Sequence, residues 1–279
     1  MSVSRRKAIQ TAAALGVLSA PLAGVAQDAG RLKQSVCKWC YRDMSVDELA
    51  AEVSKMGMVG IDLLVEEEWP ILEKYGLICT MGQGVCTIED GLNRTENHAE
   101  IEKNFRHLLP AAKKAGMRNM ICFSGNRRGM SDAEAWDNCT TLLRKITPLA
   151  EDLEVTIQME LLNSKVNHKD YQCDTTPWGV ELCKRVDSPQ FKLLYDIYHM
   201  QIMEGDVIRT IRDNAQYLGH FHTGGNPGRN EIDETQELNY EAIAKAIADL
   251  DYDGFFAHEF IPLRDPMTSL RQAVDICRV

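Results

Sequence analysis

Four residues that can bind a metal ion end four short apolar segments in the C-terminal half of the chain. Each segment has six residues and is followed by polar or turn-forming sequence and then by a helical pattern. A carboxylate in so apolar a setting is costly unless it is paired or bound to a metal. Three carboxylates and one imidazole form an oxygen-rich site, which suits Mn²⁺, Mg²⁺ or Co²⁺ better than it suits a structural zinc ion of the thiolate-bound type. Catalytic Zn²⁺ stays open. We predict that one divalent metal ion is bound by Glu160, Asp196, His222 and Glu259.

Each of these residues also has a purely structural interpretation when it is taken alone. A carboxylate at such a position can cap the helix that follows, and a histidine can be a hydrogen-bonded core residue. Their shared position at the ends of four segments favours one metal site over four unrelated structural roles.

Two carboxylates at one metal ion can move a proton between neighbouring carbon atoms. The three ligand carboxylates outweigh the charge of a divalent ion, so the site stays anionic and suits a neutral, polyhydroxylated ligand. A hydroxy-carbonyl compound can chelate the ion through two adjacent oxygens, which makes a proton on the carbon between them easier to remove. Glu160 and Glu259 can then remove this proton and return it to the neighbouring carbon. We predict an isomerase or epimerase that works through a cis-enediolate, with these two residues as acid and base.

Three further residues lie next to the predicted ligands. His199, three positions after Asp196, is predicted in a loop over the same pocket, either against the substrate or packed within the loop. Arg229 lies in Gly/Pro-rich sequence after His222, where it can bind substrate oxygens or remain solvated. His220 shares a strand face with His222 by the period of two but lies one layer deeper, which favours a core role.

The apolar segments belong to a regular alternation of strand and helix patterns. Strict alternation implies a parallel sheet, and eight units favour closure into a single-domain (β/α)₈ TIM barrel with its active site at the C-terminal strand ends. A doubly wound open sheet is the alternative, but Gly82-Gln83-Gly84 lacks the third glycine of a dinucleotide-binding loop. The predicted strands are Gln34–Trp39, Val59–Leu64, Leu77–Met81, Asn119–Ser124, Val155–Glu160, Lys192–Asp196, Tyr217–His222 and Gly254–Glu259. The predicted helices are Val46–Met56, Glu67–Tyr75, Asn97–Ala115, Asp132–Glu151, Thr176–Arg185, Asp206–Asn214, Tyr240–Asp249 and Met267–Cys277.

Local signals mark the ends of several helices. Ser45 and Ser131 each precede a helical pattern with an acidic residue two or three positions on, which predicts N-caps. Gly57, Gly116 and Gly254 precede strands two, four and eight, and we predict that they take the left-handed conformation that ends a helix.

The chain is acidic, and its body contains no apolar run long enough to cross a membrane. It has 279 residues and a formal net charge of −10, with a pI near 5.2. Nonspecific binding to nucleic acid needs a basic face, so we expect no nucleic-acid partner. The expected partner is a small sugar or hydroxy-carbonyl substrate, and homo-oligomerisation stays open.

Residues 1–30 differ from the rest and predict a twin-arginine export signal with a short linker, followed by the barrel over residues 31–279. Arg5 and Arg6 lie in a basic region, which precedes an apolar stretch and then a group of small residues. This order is typical of an export signal, so we expect cleavage after Ala26, a periplasmic location and no stable membrane insertion after cleavage. A short N-terminal arm or an uncleaved anchor is the alternative.

Nine cysteines are spread through apolar segments, and their odd number does not resemble a disulfide framework. Cys37 and Cys40 have CxxC spacing, but no second CxxC completes a zinc site, and the pair is predicted in a strand. We therefore expect a structural role for both. Buried reduced cysteines and a metal loaded in the cytoplasm fit the twin-arginine route, which exports folded proteins.

The chain resembles the xylose isomerase-like (β/α)₈ superfamily and, within it, hydroxypyruvate isomerase-like proteins. The resemblance covers about Gln34–Val279 and rests on Tyr195–Met200, on residues 214–229 and on Phe256–Phe260. It implies that the four predicted ligands hold one divalent metal ion and that the two glutamates are the acid and the base. The residues implied to contact the substrate are His199 and Arg229.

The third metal ligand differs from that of hydroxypyruvate isomerases proper, in which an amide side chain is frequent. His222 stands at this position, and in this respect the chain is similar to ketose 3-epimerases. The resemblance therefore implies an isomerase or an epimerase without fixing the substrate.

Other functions can use the same residues. A lyase or dehydratase that acts on an oxidised sugar by β-elimination begins with the same removal of a proton next to a carbonyl. A non-catalytic sugar-binding module needs the pocket but not the acid/base carboxylates. A phosphodiesterase with several zinc ions needs more metal-binding histidines than the chain offers and a less acidic surface.

Overall fold

Eight parallel strands form a closed barrel in which each strand pairs with the next and the last pairs with the first. The computed structural model describes residues 30–279. The predicted TIM barrel is confirmed, and each predicted strand is present with its ends displaced by no more than two residues. The strands are β1 Lys33–Cys37, β2 Gly60–Leu64, β3 Ile78–Gly82, β4 Asn119–Cys122, β5 Thr156–Glu160, β6 Phe191–Asp196, β7 Leu218–Thr223 and β8 Phe255–His258.

Helices surround the barrel, and most of them bury one face against it. The first helix shows the pattern clearly, since it buries Val46, Leu49, Ala50 and Val53, which lie on one side of a 3.6-residue repeat. The helices are α1 Val46–Lys55, α2 His98–Lys114, α3 Asp132–Leu153, α4 Thr176–Val186, α5 Ile197–Met203, α6 Val207–Asn214, α7 Tyr240–Ala248 and α8 Pro266–Ile276.

Two elements differ from the predicted helices. The predicted helix Glu67–Tyr75 is a 3₁₀ helix over Glu66–Tyr75, and Pro70 within it has no N–H to donate to an α-helical bond. The α5 helix was not predicted, because it begins immediately after β6 with no loop between them. Asp196 ends the strand and also caps this helix, since its Oδ1 accepts a hydrogen bond of 3.0 Å from the backbone N–H of His199.

Four of the predicted helix ends are confirmed. Ser45 and Ser131 each accept a hydrogen bond from the backbone N–H three residues on, as N-caps do. Gly57 and Gly116 have φ angles of 76° and 72°, in the left-handed region.

Two local predictions were wrong. Gly254 is not the left-handed residue before β8; Asp251, with φ of 53°, takes that conformation, which aspartate tolerates. Gly254 is needed for space instead, because a Cβ there would collide with the ring of Tyr252. Cys40 does not lie in a strand, because Lys38–Cys40 forms a 3₁₀ turn after β1.

The predicted signal falls on residues 1–29 and Gly30, of which the structure describes only Gly30. Export and a periplasmic location therefore stay predictions. Within residues 30–279, no helix combines the length and the apolarity that crossing a membrane requires.

The cysteines give a first testable prediction. All nine are free thiols, and only Cys86 is more than slightly exposed. Burial raises the pKa of Cys86 to about 12, so only about 10⁻⁴ of its thiols are ionised at pH 8. We expect iodoacetamide to label the native protein slowly and at one site at most, whereas the unfolded protein takes up nine labels. Intact mass spectrometry measures this, a Cys86→Ser variant is the control, and rapid labelling of several native cysteines would contradict the burial.

Candidate functional site

The four predicted metal ligands converge at the C-terminal end of the barrel. Glu160, Asp196 and His222 lie at or next to the ends of β5, β6 and β7, and Glu259 directly follows β8. Each offers one ligand atom, and these atoms all lie within 4.8 Å of one another. All four residues are buried. Parallel strands bring their carboxyl ends to one rim, which explains how residues far apart in sequence meet here.

His222 and Arg229 face the ligand carboxylates with nitrogen atoms. The Nδ1 of His222 lies 2.8 Å from Glu259 Oε2 and 3.5 Å from Glu160 Oε1. The Nη2 of Arg229 donates to Glu259 Oε2 at 2.5 Å and to Asp196 Oδ2 at 3.0 Å. Burial lowers the pKa of Arg229, but Glu259 and Asp196 outweigh this effect and raise it, so the guanidinium stays charged.

Arg229 is held inside the site, so the alternative of a solvated loop arginine is wrong. Its side chain is 12% exposed. Its guanidinium carbon lies 5.1 Å from the ring centre of Trp39 and 5.3 Å from that of Tyr198, within the range of cation–π contacts. Trp39 also donates its indole N–H to Glu259 Oε1 at 2.5 Å. Trp39 was not predicted as a site residue, and its only sequence signal was its position at the end of the first predicted strand.

His199 lies on α5 and not in a loop as predicted. It is fully buried beside Asp196, and its Nε2 lies 3.6 Å from Asp196 Oδ2. Its Nδ1 accepts a hydrogen bond of 3.2 Å from the backbone N–H of Asn163. Burial and the charge of Arg229 lower the pKa of His199, so its imidazole is neutral.

A cavity of about 490 Å³ opens beside the four ligands. Glu160, Glu259 and Arg229 line one side of it, and apolar side chains line much of the rest. The cavity is large enough to enclose a small-molecule ligand against the carboxylates. The other lining residues are Trp39, Leu63, Gln83, Cys86, Thr87, Ile88, Glu89, Phe123, Leu162 and His168.

Comparison with known protein families identifies the family to which this barrel belongs. Residues 61–278 match the model of the xylose isomerase-like TIM barrel family. The chain belongs to this family. The family resemblance inferred from the strand-end motifs is therefore confirmed.

Three relatives carry names of isomerases or an epimerase. The chain is 35% identical over 178 residues to the hydroxypyruvate isomerase of Escherichia coli K12, which covers 61% of this chain and 67% of that protein. It is 35% identical over 104 residues to a putative hydroxypyruvate isomerase of Danio rerio, covering 37% and 38% of the two chains. It is 32% identical over 123 residues to the D-psicose 3-epimerase of Ruminiclostridium cellulolyticum, covering 43% and 39%. The chain thus spans about two fifths of the length of the latter two proteins.

Among solved structures, the fold is similar to that of an AP endonuclease of family 2 from Brucella melitensis. The TM-score is 0.77 at 20% identity, and the match covers 86% of this chain and 96% of the other. This likeness supports the shared barrel and says nothing about the reaction.

The cluster in this xylose isomerase-like barrel fits a hard divalent cation. Among the described residues, Arg229 supplies the one guanidinium beside the three buried carboxylates. Glu160 Oε1 accepts no hydrogen bond from any described residue. Burial raises the pKa of Glu160 and of Asp196, while Glu259 stays ionised because Arg229 and His222 outweigh its burial. A divalent ion would offset the remaining negative charge and take the unsatisfied oxygen as a ligand.

Asp62, which was not predicted, fixes the orientation of His222. It lies within β2, and its Oδ2 lies 3.2 Å from His222 Nε2 and 2.6 Å from His220 Nε2. Ser35 and Thr80 donate to its other oxygen. Burial alone raises the pKa of Asp62, but His220 and His222 lower it below its ordinary value. Burial lowers the pKa of His222, but Glu259 and Asp62 outweigh this effect and raise it, so both ring nitrogens are protonated before an ion binds. A metal ion would displace the proton of Nδ1, and the ionised Asp62 would keep the other proton on Nε2.

If Asp62 orients His222, then a substitution of Asp62 weakens metal binding although Asp62 itself would not contact the ion. We expect Asp62→Asn to weaken Mn²⁺ binding by about 10–100-fold, because the neutral amide no longer holds the His222 tautomer. Ser35→Ala removes a hydrogen bond of 2.7 Å to the same carboxylate without contacting His222, so it is the matched control. Titration calorimetry gives both dissociation constants, and thermal unfolding checks that each variant is folded. An unchanged Mn²⁺ affinity in folded Asp62→Asn would contradict this role.

Proposed function

We propose that the protein is a metal-dependent isomerase or epimerase that removes a proton next to the carbonyl of a sugar or other hydroxy-carbonyl compound and returns it to the neighbouring carbon or to the opposite face of the same carbon. The observation that carries the proposal is the pair Glu160 and Glu259, which share one candidate cation site and both line the same cavity. Membership of the xylose isomerase-like family and the names of the relatives support it.

The side chains of the site have different roles in the proposed reaction. Glu160, Asp196, His222 and Glu259 would hold a divalent ion, which would supply Lewis acidity to the oxygens of the substrate. One of Glu160 and Glu259 would remove the proton next to the carbonyl to give a cis-enediolate. Return of a proton to the neighbouring carbon would isomerise the substrate, and return to the opposite face of the same carbon, from the other glutamate, would epimerise it. Trp39 and Arg229 hold both oxygens of Glu259, which keeps this carboxylate aimed at the cavity.

We also propose substrate contacts for Arg229 and His199. Arg229 lines the cavity, and its Nε has no hydrogen-bond partner among the described residues. The Nε2 of His199 likewise has no such partner in the described part of the chain. The unpaired Nε of Arg229 beside the cavity is available for a substrate hydroxyl or carbonyl oxygen. His199 is fully buried and does not line the cavity, so its proposed contact rests on the family resemblance.

Proton exchange with solvent tests the proposed function. The protein, loaded with Mg²⁺ in D₂O, is mixed with hydroxypyruvate, with ketohexoses and with 3-keto-glycosides, and NMR follows each compound. We expect metal-dependent uptake of deuterium next to the carbonyl of at least one compound, and the product spectrum separates isomerisation, epimerisation and elimination. Loss of exchange after chelation is the control. Binding of the compounds without exchange, in protein shown to be metal-loaded, would favour the sugar-binding alternative instead.

A further inference from the structure

We infer that the substrate is an uncharged, sugar-sized keto compound that packs against an apolar wall of the cavity, and not a small carboxylate such as hydroxypyruvate. This inference rests on the proposed function and narrows its substrate class. It follows from three properties of the cavity: its apolar side, its charge and its size. The residues of the apolar wall are Leu63, Cys86, Ile88, Phe123 and Leu162.

The apolar wall is a built feature of the barrel. Leu63 has φ of 62°, a conformation that costs energy for a leucine, at a point where the register between β2 and β3 shifts. Its carbonyl accepts a hydrogen bond of 2.7 Å from Gln83 Nε2, which holds the bend in place. The bend turns Leu63 toward the barrel axis, where it packs with Phe123 against the inner residues Met81 and Ile121. A strand of regular alternation would point this side chain outward.

The loop after β3 is fixed onto the same wall. The Sγ of Cys86 accepts a hydrogen bond of 3.3 Å from the backbone N–H of Phe123 and lies 3.8 Å from its carbonyl oxygen. Ile88 follows two residues later and lines the cavity beside Thr87. Such a wall suits the C–H face of a sugar or of an attached group, and it offers few partners to a charged one.

The charge of the cavity disfavours an anionic substrate. Arg229 is the only lysine or arginine among the described residues that line it, and its guanidinium is already paired with Asp196 and Glu259. With a divalent ion bound, the ion and Arg229 together balance the three ligand carboxylates. A substrate carboxylate would then be an uncompensated charge in a largely buried site, and Glu89 lies at the exposed edge of the cavity with the same sign.

The size of the cavity also favours a substrate larger than a three-carbon acid. Its volume of about 490 Å³ falls within the usual range for pockets that enclose ligands well above three carbons in size. A three-carbon acid that chelates an ion beside Glu160 and Glu259 would leave the apolar wall exposed to water. A hexose-sized or larger compound can reach both sides at once.

The test compares kcat/KM and deuterium exchange of the metal-loaded protein on hydroxypyruvate, ketohexoses and 3-keto-glycosides. We expect at least one uncharged compound to exceed hydroxypyruvate in kcat/KM by about tenfold or more. Two variants place a cation in the cavity: Ile88→Lys in the wall and Thr87→Lys at its exposed edge. Each is expected to shift the preference toward hydroxypyruvate by about tenfold, and Thr87→Lys covers the case in which Ile88→Lys does not fold. Val166→Lys, on an exposed residue that does not line the cavity, is the matched control and leaves the ratio unchanged.

The outcomes separate this inference from the proposed function. A preference for hydroxypyruvate in the wild type, with metal-dependent exchange intact, would overturn the uncharged substrate and leave the isomerase proposal standing. Absence of exchange on every compound would overturn both. The wild type can also prefer an uncharged compound while both lysine variants fold and keep the same preference. This result would show that the wall and the edge of the cavity are not the source of the selectivity.

Discussion

Replacement of Glu160 or of Glu259 by glutamine lowers kcat by about 10²–10⁴-fold while the barrel stays folded. Each carboxylate is expected both to hold the metal ion and to transfer a proton, and glutamine keeps the shape but cannot accept the proton. Turnover and solvent deuterium exchange measure the loss, and metal analysis of each variant separates lost chemistry from lost metal. Glu89→Gln, which changes a carboxylate at the exposed edge of the same cavity, is the matched control and retains the chemical step. Normal turnover in either metal-loaded ligand variant would show that the acid/base assignment is wrong.

Removal of the metal abolishes turnover and lowers the melting temperature, and readdition of the ion restores both. Binding to the native state alone stabilises it by about 2.7 kcal/mol when the free ion is at one hundred times its dissociation constant. For a chain of this size, this corresponds to a rise in Tm of roughly 5–10 °C. Differential scanning calorimetry with and without chelator measures it.

A ligand variant provides the control for the metal effect. In His222→Ala, which removes one of the four clustered ligand atoms, the same Mn²⁺ concentration is expected to raise Tm by much less than in the wild type. The remaining carboxylates keep Arg229 as a partner, so this variant can still fold. Turnover and Tm that do not respond to chelation in the wild type would contradict the metal-dependent account.

The barrel was predictable because its signals are local. Each strand is a short apolar run that ends at turn-forming sequence. N-cap residues such as Ser45 and Ser131 mark the starts of the helices that follow. The α5 helix lacked such a signal. Asp196 serves at once as strand end and helix cap, and the apolar residues Ile197–Met203 resemble the strand that they continue.

The convergence of the four candidate ligands was predictable for a related reason. They share one position relative to their strands, and the topology of a parallel barrel brings all such positions to one rim. Trp39 and Asp62 have no comparable pattern in sequence. Trp39 meets Glu259 across 220 residues of chain because β1 and β8 are neighbours, and only closure of the barrel makes them so.

The conformation of single residues lay beyond the sequence patterns. Leu63 reaches the cavity through a bend in β2 that the alternation of the strand does not foretell. Arg229 lies in glycine- and proline-rich sequence that suggested flexibility, yet its pairing with Asp196 and Glu259 and its contact with Trp39 hold it in the site. Contacts over long sequence distances decide both positions, and local propensity has little influence on them.

The location of the bound ion tests the central claim most directly. Crystals grown with Mn²⁺ and measured near its absorption edge give an anomalous map that identifies the ion independently of any assumed ligands. We predict one strong peak at the C-terminal end of the barrel, within roughly 2.0–2.3 Å of an atom from each of Glu160, Asp196, His222 and Glu259. A map with no peak there, or with the peak at another group of residues, would contradict the account.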